Sequence, residues 1–242
     1  MIAESCMDDI NYDHIEKMEA HNWWYKGKRD IFDNILSKKK KKFTSALDIG
    51  CGVGSHLGVL KKHAENVEGI DFSAKAVSYC KAKGWNTVSK GDVCNLSRNT
   101  KYDVVLCSEL LEHVDDVKAV TEISSVMTKG GVFIFSVPAH SYLWNDNDIL
   151  SHHKRRYEKK RLRKLLEKDF TIRRLSYWNS VLFLPTWLFY KFKRKGTMTN
   201  NLNLVPKGLN GLLYKILKFE NMLFHKIMMP QGITLIGVCT KK

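Results

Sequence analysis

Three groups of residues have the types and spacing that ligand binding and catalysis require. A glycine-rich loop, Gly50-Cys51-Gly52-Val53-Gly54, follows a short apolar segment, and Asp71 and Asp92 each follow a later one. A polar block further on contains Asp148 and His153, five residues apart. Glycines allow backbone to approach a ligand closely. Carboxylates accept hydrogen bonds from hydroxyls and amines, and a carboxylate–histidine pair can move a proton.

The glycine loop comes between an apolar strand-like segment and a helix-like segment, which is typical of a nucleotide-binding turn. Its spacing is Gly50-x-Gly52-x-Gly54, and position 55 is serine. This spacing argues against the Gly-x-Gly-x-x-Gly dinucleotide fingerprint, and also against a Walker loop, which needs Lys followed by Ser or Thr. A purely structural turn remains an alternative for the loop alone.

The two acidic residues make the prediction of a nucleotide site more specific. At the end of the second strand, Asp71 suits two ribose hydroxyls. At the end of the third, Asp92 suits an exocyclic adenine amine. Each alone also fits a turn residue or a helix cap. Their ordered recurrence at successive strand ends favours a nucleotide ligand.

The surrounding pattern predicts the elements that position these residues. Strands alternate with helices through residue 137, which implies right-handed crossovers and a mainly parallel sheet. We therefore predict an α/β fold with a Rossmann-like, doubly wound, mainly parallel seven-stranded sheet and a helical insertion between the last two strands. The predicted strands cover residues 45–49, 66–71, 86–89, 102–107, 132–137, 171–177 and 233–239. The predicted helices cover residues 8–36, 55–63, 73–83, 117–127 and 159–168.

Three regions follow from this organisation. Residues 1–44 are predicted as an N-terminal helical lid. Residues 45–178 and 231–242 form the predicted core. The connection over 179–230 is far longer than an ordinary strand-to-strand loop, so it is predicted to be a helical, apolar and basic insertion.

Four segments, in order, resemble class I S-adenosylmethionine-dependent methyltransferases over residues 45–137: Leu47-Asp48-Ile49-Gly50-Cys51-Gly52-Val53-Gly54, Glu68-Gly69-Ile70-Asp71-Phe72-Ser73, Gly91-Asp92-Val93 and Tyr102-Asp103-Val104-Val105. The resemblance implies S-adenosylmethionine as cofactor and S-adenosylhomocysteine as product. It implies that the loop and Asp48 hold the methionine part, Asp71 the ribose, and Asp92 with Val93 the adenine. The implied cofactor residues are Asp48, Gly50, Cys51, Gly52, Gly54, Asp71, Phe72, Asp92, Val93, Cys107, Ser108 and Glu109.

The fourth-strand region narrows this resemblance. Residues 107–114, Cys-Ser-Glu-Leu-Leu-Glu-His-Val, are similar to the small-molecule branch, which includes quinone O-methyltransferases. The Pro-Pro-aromatic motif of nucleobase or glutamine amino-group enzymes does not occur after this strand, and neither does the Pro-Cys nucleophile of cytosine enzymes. Cys107 also fits a small buried apolar residue.

The acceptor side is predicted from the polar block, which we expect to be a long loop over residues 140–153. Asp148 and His153 could meet there as an orienting carboxylate and a catalytic base. Arg155 and Arg156 could clamp a phosphate or carboxylate. The alternative is a basic helix start beside an exposed histidine.

The whole chain is similar to a bacterial subset of methyltransferases associated with polysaccharide and glycolipid biosynthesis, of the type 11/12 kind. The similarity rests on the polar block, on Trp23-Trp24-Tyr25-Lys26-Gly27-Lys28-Arg29 and on Pro230-Gln231-Gly232-Ile233. Lys28 stands where the subset often has arginine. The aromatic triplet would form a lid, or would only pack on the sheet edge. The implied acceptor-binding residues are Trp23, Trp24, Tyr25, Trp144, Arg155, Arg156 and Tyr157.

Charge is distributed unevenly along the chain. Lys and Arg number 40 against 25 Asp and Glu, a formal net charge of +15. Residues 1–137 have 19 basic and 19 acidic side chains, whereas residues 138–242 have 21 and 6. Basic residues among aromatic ones in the insertion suit an anionic bilayer surface or a lipid-linked acceptor. The alternative is an extra helical subdomain with a solvated lysine face.

We therefore predict an S-adenosylmethionine-dependent enzyme that O-methylates a sugar, glycolipid or other small-molecule acceptor. A quinone-type small-molecule methyltransferase, an RNA methyltransferase and a non-catalytic cofactor-binding scaffold remain alternatives. Nucleic acid is the less favoured partner. The acceptor atom and the oligomeric state stay open.

The predicted location is the cytoplasm, with peripheral contact at the inner face of the membrane. Residues 1–10 lack the apolar segment of a signal peptide. The longest apolar stretch, residues 181–190, contains Pro185 and is too short to span a bilayer. Six scattered cysteines without a Cys-x-x-Cys pair argue against a disulfide framework, and we assign no metal site.

Overall fold

A computed structural model of the chain describes residues 9–38, 42–96, 99–192 and 205–242. The five-lysine run over residues 38–42, which the sequence predicts to be a solvated connector, lies mainly outside these ranges. The basic residues 193–195 and Cys6 lie wholly outside them. Within them the helices are α1 (Asp9–Met18), α2 (Trp23–Leu36), α3 (Leu57–His63), α4 (Ala74–Ala82), α5 (Asp116–Ser125), α6 (Asp146–Leu150), α7 (Lys159–Leu166), α8 (Phe183–Phe192) and α9 (Lys207–Leu223). The strands are β1 (Phe43–Ile49), β2 (Ala64–Asp71), β3 (Val88–Lys90), β4 (Tyr102–Ser108), β5 (Met127–Pro138), β6 (Phe170–Trp178) and β7 (Thr234–Lys241).

The seven strands form one sheet in the order β3-β2-β1-β4-β5-β7-β6. Strands β1–β5 run parallel to one another, and β7 runs antiparallel between β5 and β6. The chain order reverses at β1, where β2 lies on one side and β4 on the other. Ligands of open α/β sheets bind at such a switch point, at the carboxyl ends of the strands. The predicted Rossmann-like sheet is confirmed.

Helices cover both faces of the sheet, so successive residues of its central strands are buried on opposite sides. On one face, Val105 and Phe133 pack with residues of α5 and α7. On the other face, Leu106 and Ile134 pack with residues of α2, α3, α4 and α9. This three-layer core fixes the carboxyl edge of the sheet, where the glycine loop and the strand-end acids lie.

The N-terminal segment is two helices rather than the single one predicted over residues 8–36. The side chain of Asn22 accepts a hydrogen bond from Trp24 N at 2.8 Å and so caps the start of α2. Asparagine at this position satisfies a backbone donor that would otherwise have no partner. The break lets α1 lie over the glycine loop while α2 packs on the sheet.

The predicted insertion falls between β6 and β7, and its second helix joins the main core. Asn221 of α9 donates to Gly27 O of α2 at 2.8 Å and accepts from Trp178 Nε1 at 2.7 Å. The helices approach closely at Gly27, where a Cβ would lie 2.5 Å from Leu217 Cδ1. α9 is thus anchored to α2 by packing and by buried polar contacts.

The described part of the insertion also has a large exposed apolar surface. Among the helices that the structure describes, none is long and apolar enough to cross a membrane. The exposed apolar residues of α8, α9 and their flanks include Val181, Leu184, Leu188, Phe189, Phe192, Leu212, Phe219 and Met222.

Candidate active site

A cavity of about 380 Å³ opens at the carboxyl edge of the sheet. This volume lies in the range of small-molecule sites. Its wall has three parts: the glycine loop with the ends of β2, β3 and β4, the lid formed by α1 and α2, and the polar block around α6. The predicted nucleotide and acceptor sides therefore share one cavity.

The glycine loop has the backbone conformation that its sequence predicts. Gly50, Gly52 and Gly54 all have positive φ, at 69°, 54° and 92°. At Gly52 a Cβ would meet nothing within 4 Å, so this position is open. Gly54 instead packs on α3 and α4, where a Cβ would lie 3.2 Å from Cys80 Sγ. The first two glycines line the cavity, and the third shapes the turn into α3.

Asp71 lies at the end of β2 and is only 6% exposed. Its carboxylate accepts from Gly52 N at 2.8 Å, from Ser73 N at 2.9 Å and from Tyr12 Oη at 3.4 Å. Burial raises the pKa of Asp71, and these backbone donors oppose that rise. The carboxylate is therefore fixed in the cavity wall beside the glycine loop, and α1 covers it.

The other predicted cofactor residues divide into cavity and interior positions. Phe72, Asp92, Val93, Ser108 and Glu109 line the cavity together with Cys51. Asp92 also caps a local turn, since its Oδ1 accepts from Cys94 N at 2.8 Å. Cys107 is fully buried outside the cavity wall, which agrees with the reading of it as a small apolar core residue.

Asp48 lies in β1, directly behind the cavity residues Ile49 and Gly50. It is fully buried, and neither carboxylate oxygen has a hydrogen-bond partner among the described residues. Burial, with a smaller contribution from Asp71, raises the pKa of Asp48 to about 8. A buried carboxylate without a partner fits a ligand that carries positive charge, as the ammonium and sulfonium groups of S-adenosylmethionine do.

This pKa gives a testable dependence of stability on pH. The pKa of Asp48 is higher in the folded than in the unfolded chain. Its contribution to the free energy of unfolding is therefore greatest below about pH 4 and declines as the pH rises to about 8. We expect Asp48→Asn to remove this dependence, so that the variant gains about 4 kcal/mol relative to wild type between pH 5 and pH 8. Urea unfolding of the ligand-free protein at each pH measures the difference.

Glu65→Gln is the matched control, since Glu65 is an exposed carboxylate on β2. Its unfolding free energy should track wild type across the same pH range. If the unfolding free energies of wild type and Asp48→Asn change with pH in parallel, Asp48 is ionised in the folded protein.

A buried ion pair joins the lid to the end of β4. Lys28 of α2 is 1% exposed, and its Nζ lies 2.8 Å from Glu109 Oε1 and 3.4 Å from the centroid of the Trp24 ring. Burial opposes ionisation of Glu109, but Lys28 outweighs it and lowers the pKa of Glu109. Glu109 also has φ of 52°, an uncommon conformation for a non-glycine residue. The lid is therefore held to the cavity wall by charge and not only by aromatic packing.

The predicted approach of Asp148 and His153 is observed. His153 Nδ1 lies 2.8 Å from Asp148 Oδ1, and Asp148 is fully buried. Arg156 donates to both carboxylate oxygens at 2.8 Å, and Asn145 N donates to Oδ2 at 2.8 Å. Although burial opposes it, the bonds from His153 and Arg156 lower the pKa of Asp148. Asp148 is therefore a fixed anion that orients the His153 ring.

The polar block is not the long loop that we predicted over residues 140–153. Residues 141–143 form one turn of 3-10 helix, and α6 follows directly. A capping box between Asn145 and Asp148 starts α6. The same carboxylate thus caps a helix and orients His153, and the capping box uses two of the four consecutive Asx residues at positions 145–148.

Four predicted acceptor-binding residues do not line the cavity: Trp23, Trp144, Arg155 and Tyr157. Trp23 packs in the core with α9, and Trp144 is 41% exposed elsewhere. Successive residues of a helix point about 100° apart, so Trp24 and Tyr25 face the cavity when Trp23 faces the core. The prediction is corrected to Trp24, Tyr25 and Arg156 as lining residues.

Arg155 and Tyr157 have structural partners instead. Tyr157 is fully buried, and its hydroxyl donates to Leu111 O at 3.0 Å and bonds with Asp116 Oδ2 at 2.9 Å. Arg155 donates to Leu111 O and to Val114 O, at 3.2 and 2.5 Å. These contacts tie the polar block to the segment after β4, and they leave Tyr157 no surface for an acceptor.

The structure also places residues in the site that the sequence did not assign. Tyr12, Lys28 and His113 line the cavity, and Glu112 lies buried behind it. Glu112, His113 and His153 each offer one ligand atom, and these atoms all lie within 4.8 Å of one another. The adjacent pair Glu112-His113 was visible in the sequence, but the third member is forty residues away.

Comparison with known proteins also indicates a methyltransferase. Residues 47–135 match the methyltransferase domain family. An uncharacterised protein of Methanocaldococcus jannaschii is 32% identical over 166 residues, which cover 64% of this chain and 68% of that protein. The ubiquinone biosynthesis O-methyltransferase of Nitrosomonas europaea is 30% identical over 151 residues, covering 53% of this chain and 63% of its own length. The chain thus matches less than two thirds of that relative.

Solved structures share the fold at low sequence identity. An S-adenosylmethionine-dependent methyltransferase of Clostridium acetobutylicum superposes with a TM-score of 0.58 at 15% identity, over 87% of this chain and 90% of that one. The N-methyltransferase NodS of Bradyrhizobium japonicum, in complex with S-adenosylhomocysteine, gives 0.57 at 13% identity, over 95% and 97%.

Sheet order, glycine loop and strand-end carboxylates define the Rossmann-like fold of class I methyltransferases. The chain belongs to the S-adenosylmethionine-dependent methyltransferases, as the family match and the relatives show. S-adenosylmethionine is accordingly its cofactor.

Proposed function

We propose that this methyltransferase transfers the methyl group to a hydroxyl oxygen of a small, lipid-borne acceptor. The observation that carries the proposal is the oriented His153–Asp148 pair, which lies in the same cavity as the glycine loop and the strand-end acids. A hydroxyl is a poor nucleophile until its proton is removed, so a positioned base has most to contribute for an oxygen acceptor.

The residues of the chain have separate roles in this reaction. Asp71, with the loop glycines, holds the cofactor. Asp48, protonated in the ligand-free protein, supplies negative charge behind the cofactor once that cationic ligand is bound. Trp24 and Tyr25 cover the cavity and limit the access of water. Asp148 keeps Nδ1 of His153 protonated, so that the ring presents Nε2 to the acceptor. Arg156 neutralises and fixes Asp148 and is a positioning residue.

The proposed methyl transfer forms one bond to the methyl carbon and breaks one. S-adenosylmethionine supplies an electrophilic methyl group: the oxygen–carbon bond forms as the carbon–sulfur bond breaks, and the bonding pair stays on sulfur to leave S-adenosylhomocysteine. The acceptor proton passes to His153 Nε2 and then to water. Holding the acceptor in line can contribute about 7–11 kcal/mol, and the base a further 10²- to 10⁴-fold in rate, by the usual magnitudes.

Two acceptor chemistries fit the proposal. The similarity to polysaccharide- and glycolipid-associated enzymes favours a sugar hydroxyl on a lipid carrier. The ubiquinone biosynthesis O-methyltransferases among the relatives favour a phenolic, quinone-type hydroxyl. Both acceptors are carried on lipids, so the proposal commits to that shared property. RNA is the remaining alternative and would meet the basic C-terminal part.

The surface of α8 supports contact with an anionic membrane. Leu184, Leu188 and Phe189 are exposed on this helix, at 56%, 39% and 55%. Lys191 lies 4.8 Å from the Trp187 ring, and α8 contains no acidic residue. An apolar surface with lysine at its edge inserts into the headgroup region of anionic bilayers. We propose that α8 docks there and brings the acceptor side of the cavity to the membrane.

A matched acceptor panel tests this function. Labelled S-adenosylmethionine is supplied with a polyprenyl-linked phenol and a polyprenyl-linked sugar, with their short water-soluble counterparts, and with RNA. We expect a methyl ether on a lipid-linked acceptor, at a rate at least tenfold higher in anionic than in neutral vesicles. A methylated amine or nucleotide, or equal rates on soluble counterparts, would contradict the proposal.

Variants separate the membrane contact from the chemistry. Leu184→Asp with Phe189→Asp should abolish flotation with anionic vesicles and slow methylation of vesicle-borne acceptors only. Val117→Asp is the matched control, because Val117 is 63% exposed on α5 and lies outside α8 and α9. Flotation that survives the α8 changes would assign the membrane contact to another surface.

A further inference from the structure

We propose that Glu112, His113 and His153 bind a divalent transition-metal ion on the acceptor side of the cavity. Each offers one ligand atom, and the three atoms lie within 4.8 Å of one another. Metal–ligand bonds near 2.0–2.2 Å place ligand atoms of one ion roughly 3–4 Å apart, so small side-chain movements close this set. Whether the ion binds is independent of the proposed O-methylation, but its role in the reaction rests on it.

The burial of Glu112 is the first observation in favour. Glu112 is fully buried, and both carboxylate oxygens are without a hydrogen-bond partner among the described residues. Leaving a buried carboxylate unpaired costs several kcal/mol unless it is protonated or meets a cation. The nearby cation Lys28 is already paired with Glu109 at 2.8 Å. An ion would supply the charge that Glu112 lacks.

The two histidines offer ring nitrogens that lie within 4.8 Å of each other. The rings of His113 and His153 meet edge to face, with centroids 4.6 Å apart. His113 is 6% exposed, and its Nδ1 has no partner in the described part of the chain. A backbone hydrogen bond ties His113 to His152.

The surroundings of His153 match those of a metal ligand. Its Nδ1 is bonded to Asp148 at 2.8 Å, which leaves Nε2 as the ligand atom. Asp148 is itself held by Arg156 and Asn145. Histidines that bind metals usually donate their second ring nitrogen to a carboxylate or a backbone carbonyl, which fixes the tautomer and the ring orientation.

The donor set indicates the kind of ion. Two imidazoles and one carboxylate favour Mn²⁺, Fe²⁺, Co²⁺ or Zn²⁺ over Mg²⁺ or Ca²⁺, which prefer oxygen ligands. Three protein ligands leave coordination positions for other groups, as in catalytic rather than structural sites. His113 and His153 both line the cavity, so those positions would face the acceptor.

A bound ion would change the role of His153. The acceptor hydroxyl would coordinate the ion, which lowers the pKa of a bound hydroxyl by several units. Its proton would then pass to water instead of to His153, because Nε2 would be a ligand. Oxygen–carbon bond formation and carbon–sulfur cleavage are unchanged. The ion would supply the activation that we otherwise assign to the base.

Metal binding by the purified full-length chain tests the site. After treatment with chelator, Mn²⁺ or Zn²⁺ is added, and stoichiometry is measured by calorimetry and elemental analysis. We expect one ion per chain and a rise in Tm. Glu112→Gln and His153→Ala should each lose binding, and Asp148→Asn should weaken it about 10- to 100-fold.

Two controls address folding. His225→Gln should bind like wild type, since His225 contacts Asn34 O at 3.2 Å and does not line the cavity. Glu112→Gln removes a buried charge, so its Tm without metal should equal or exceed that of wild type, while the metal-induced rise disappears. Stoichiometric binding that persists in both Glu112→Gln and His153→Ala, or no binding of either ion by wild type, would overturn the site.

The role of the ion is separated from the proposed function by comparing metal-free and metal-loaded protein on the acceptor panel. We expect at least a 100-fold gain on loading. Equal methylation without metal would overturn the catalytic role of the ion and leave O-methylation in place. Metal binding without methylation of any hydroxyl would contradict the proposed function and leave the metal site in place.

Discussion

His153→Ala is expected to lower kcat/KM for the acceptor about 10²- to 10⁴-fold, while the Kd of S-adenosylmethionine stays within about twofold. His153 faces the cavity with its ring fixed by Asp148, and no cofactor residue among those described bonds to it. The loss should therefore fall on the activation of the acceptor. Methyl transfer at saturating cofactor, together with a separate cofactor titration, measures both quantities.

The same variant distinguishes proton transfer from metal binding. If His153 acts as a base, added imidazole should restore part of the rate in the metal-free variant. If it acts as a ligand, imidazole should help only when Mn²⁺ or Zn²⁺ is present. His225→Ala is the control and should keep wild-type kinetics. A His153→Ala enzyme with a normal rate on every acceptor that wild type methylates would remove His153 from the mechanism.

The cofactor half of the site could be predicted from sequence because its residues are fixed by local chain geometry. Gly50 and Gly52 must follow β1 directly, and Asp71 must end β2. Parallel strands then bring these ends to one edge of the sheet. The mainly parallel sheet followed from the alternation of strands and helices, and the insertion between β6 and β7 followed from the length of that connection. Contacts between such positions depend on strand register and little on side-chain detail.

The acceptor half could be predicted only in part, because its contacts join distant segments. Asp148 and His153 are close in sequence, so their contact was accessible. The Lys28–Glu109 pair and the cluster of Glu112 and His113 with His153 depend on how α2 and α6 pack over β4. No periodicity in the sequence encodes these pairings.

Wrong predictions for individual residues also arise from packing that the sequence pattern does not encode. The sequence predicts one role for the aromatic triplet at residues 23–25, although helical geometry places Trp23 in the core and Trp24 with Tyr25 at the cavity. The polar block was expected to be a loop because its residues are polar. In the structure, those polar residues cap α6 and hold Asp148.

Asp71→Ala is expected to weaken S-adenosylmethionine binding about 100-fold, or close to 3 kcal/mol. Hydrogen bonds to a charged group contribute about 1.5–3 kcal/mol each, and a ribose offers two hydroxyls to this carboxylate. The carboxylate also accepts from Gly52 N at 2.8 Å, so its loss should loosen the glycine loop as well. Calorimetric titration of the folded variant measures the loss, and Asp71→Asn should lose less because it keeps one acceptor oxygen.

The choice of ligand shows how Asp71 acts. S-adenosylhomocysteine lacks the sulfonium charge but keeps the ribose, so a contact with the ribose predicts equal losses for both ligands. A larger loss for S-adenosylmethionine would mean that Asp71 acts through long-range charge. Asp103→Asn is the matched control, since Asp103 lies near the start of β4, at the opposite edge of the sheet, and accepts from Thr44 N at 3.0 Å. Unchanged binding of both ligands to Asp71→Ala would remove the ribose assignment, and with it the placement of the cofactor along the ends of β1, β2 and β3.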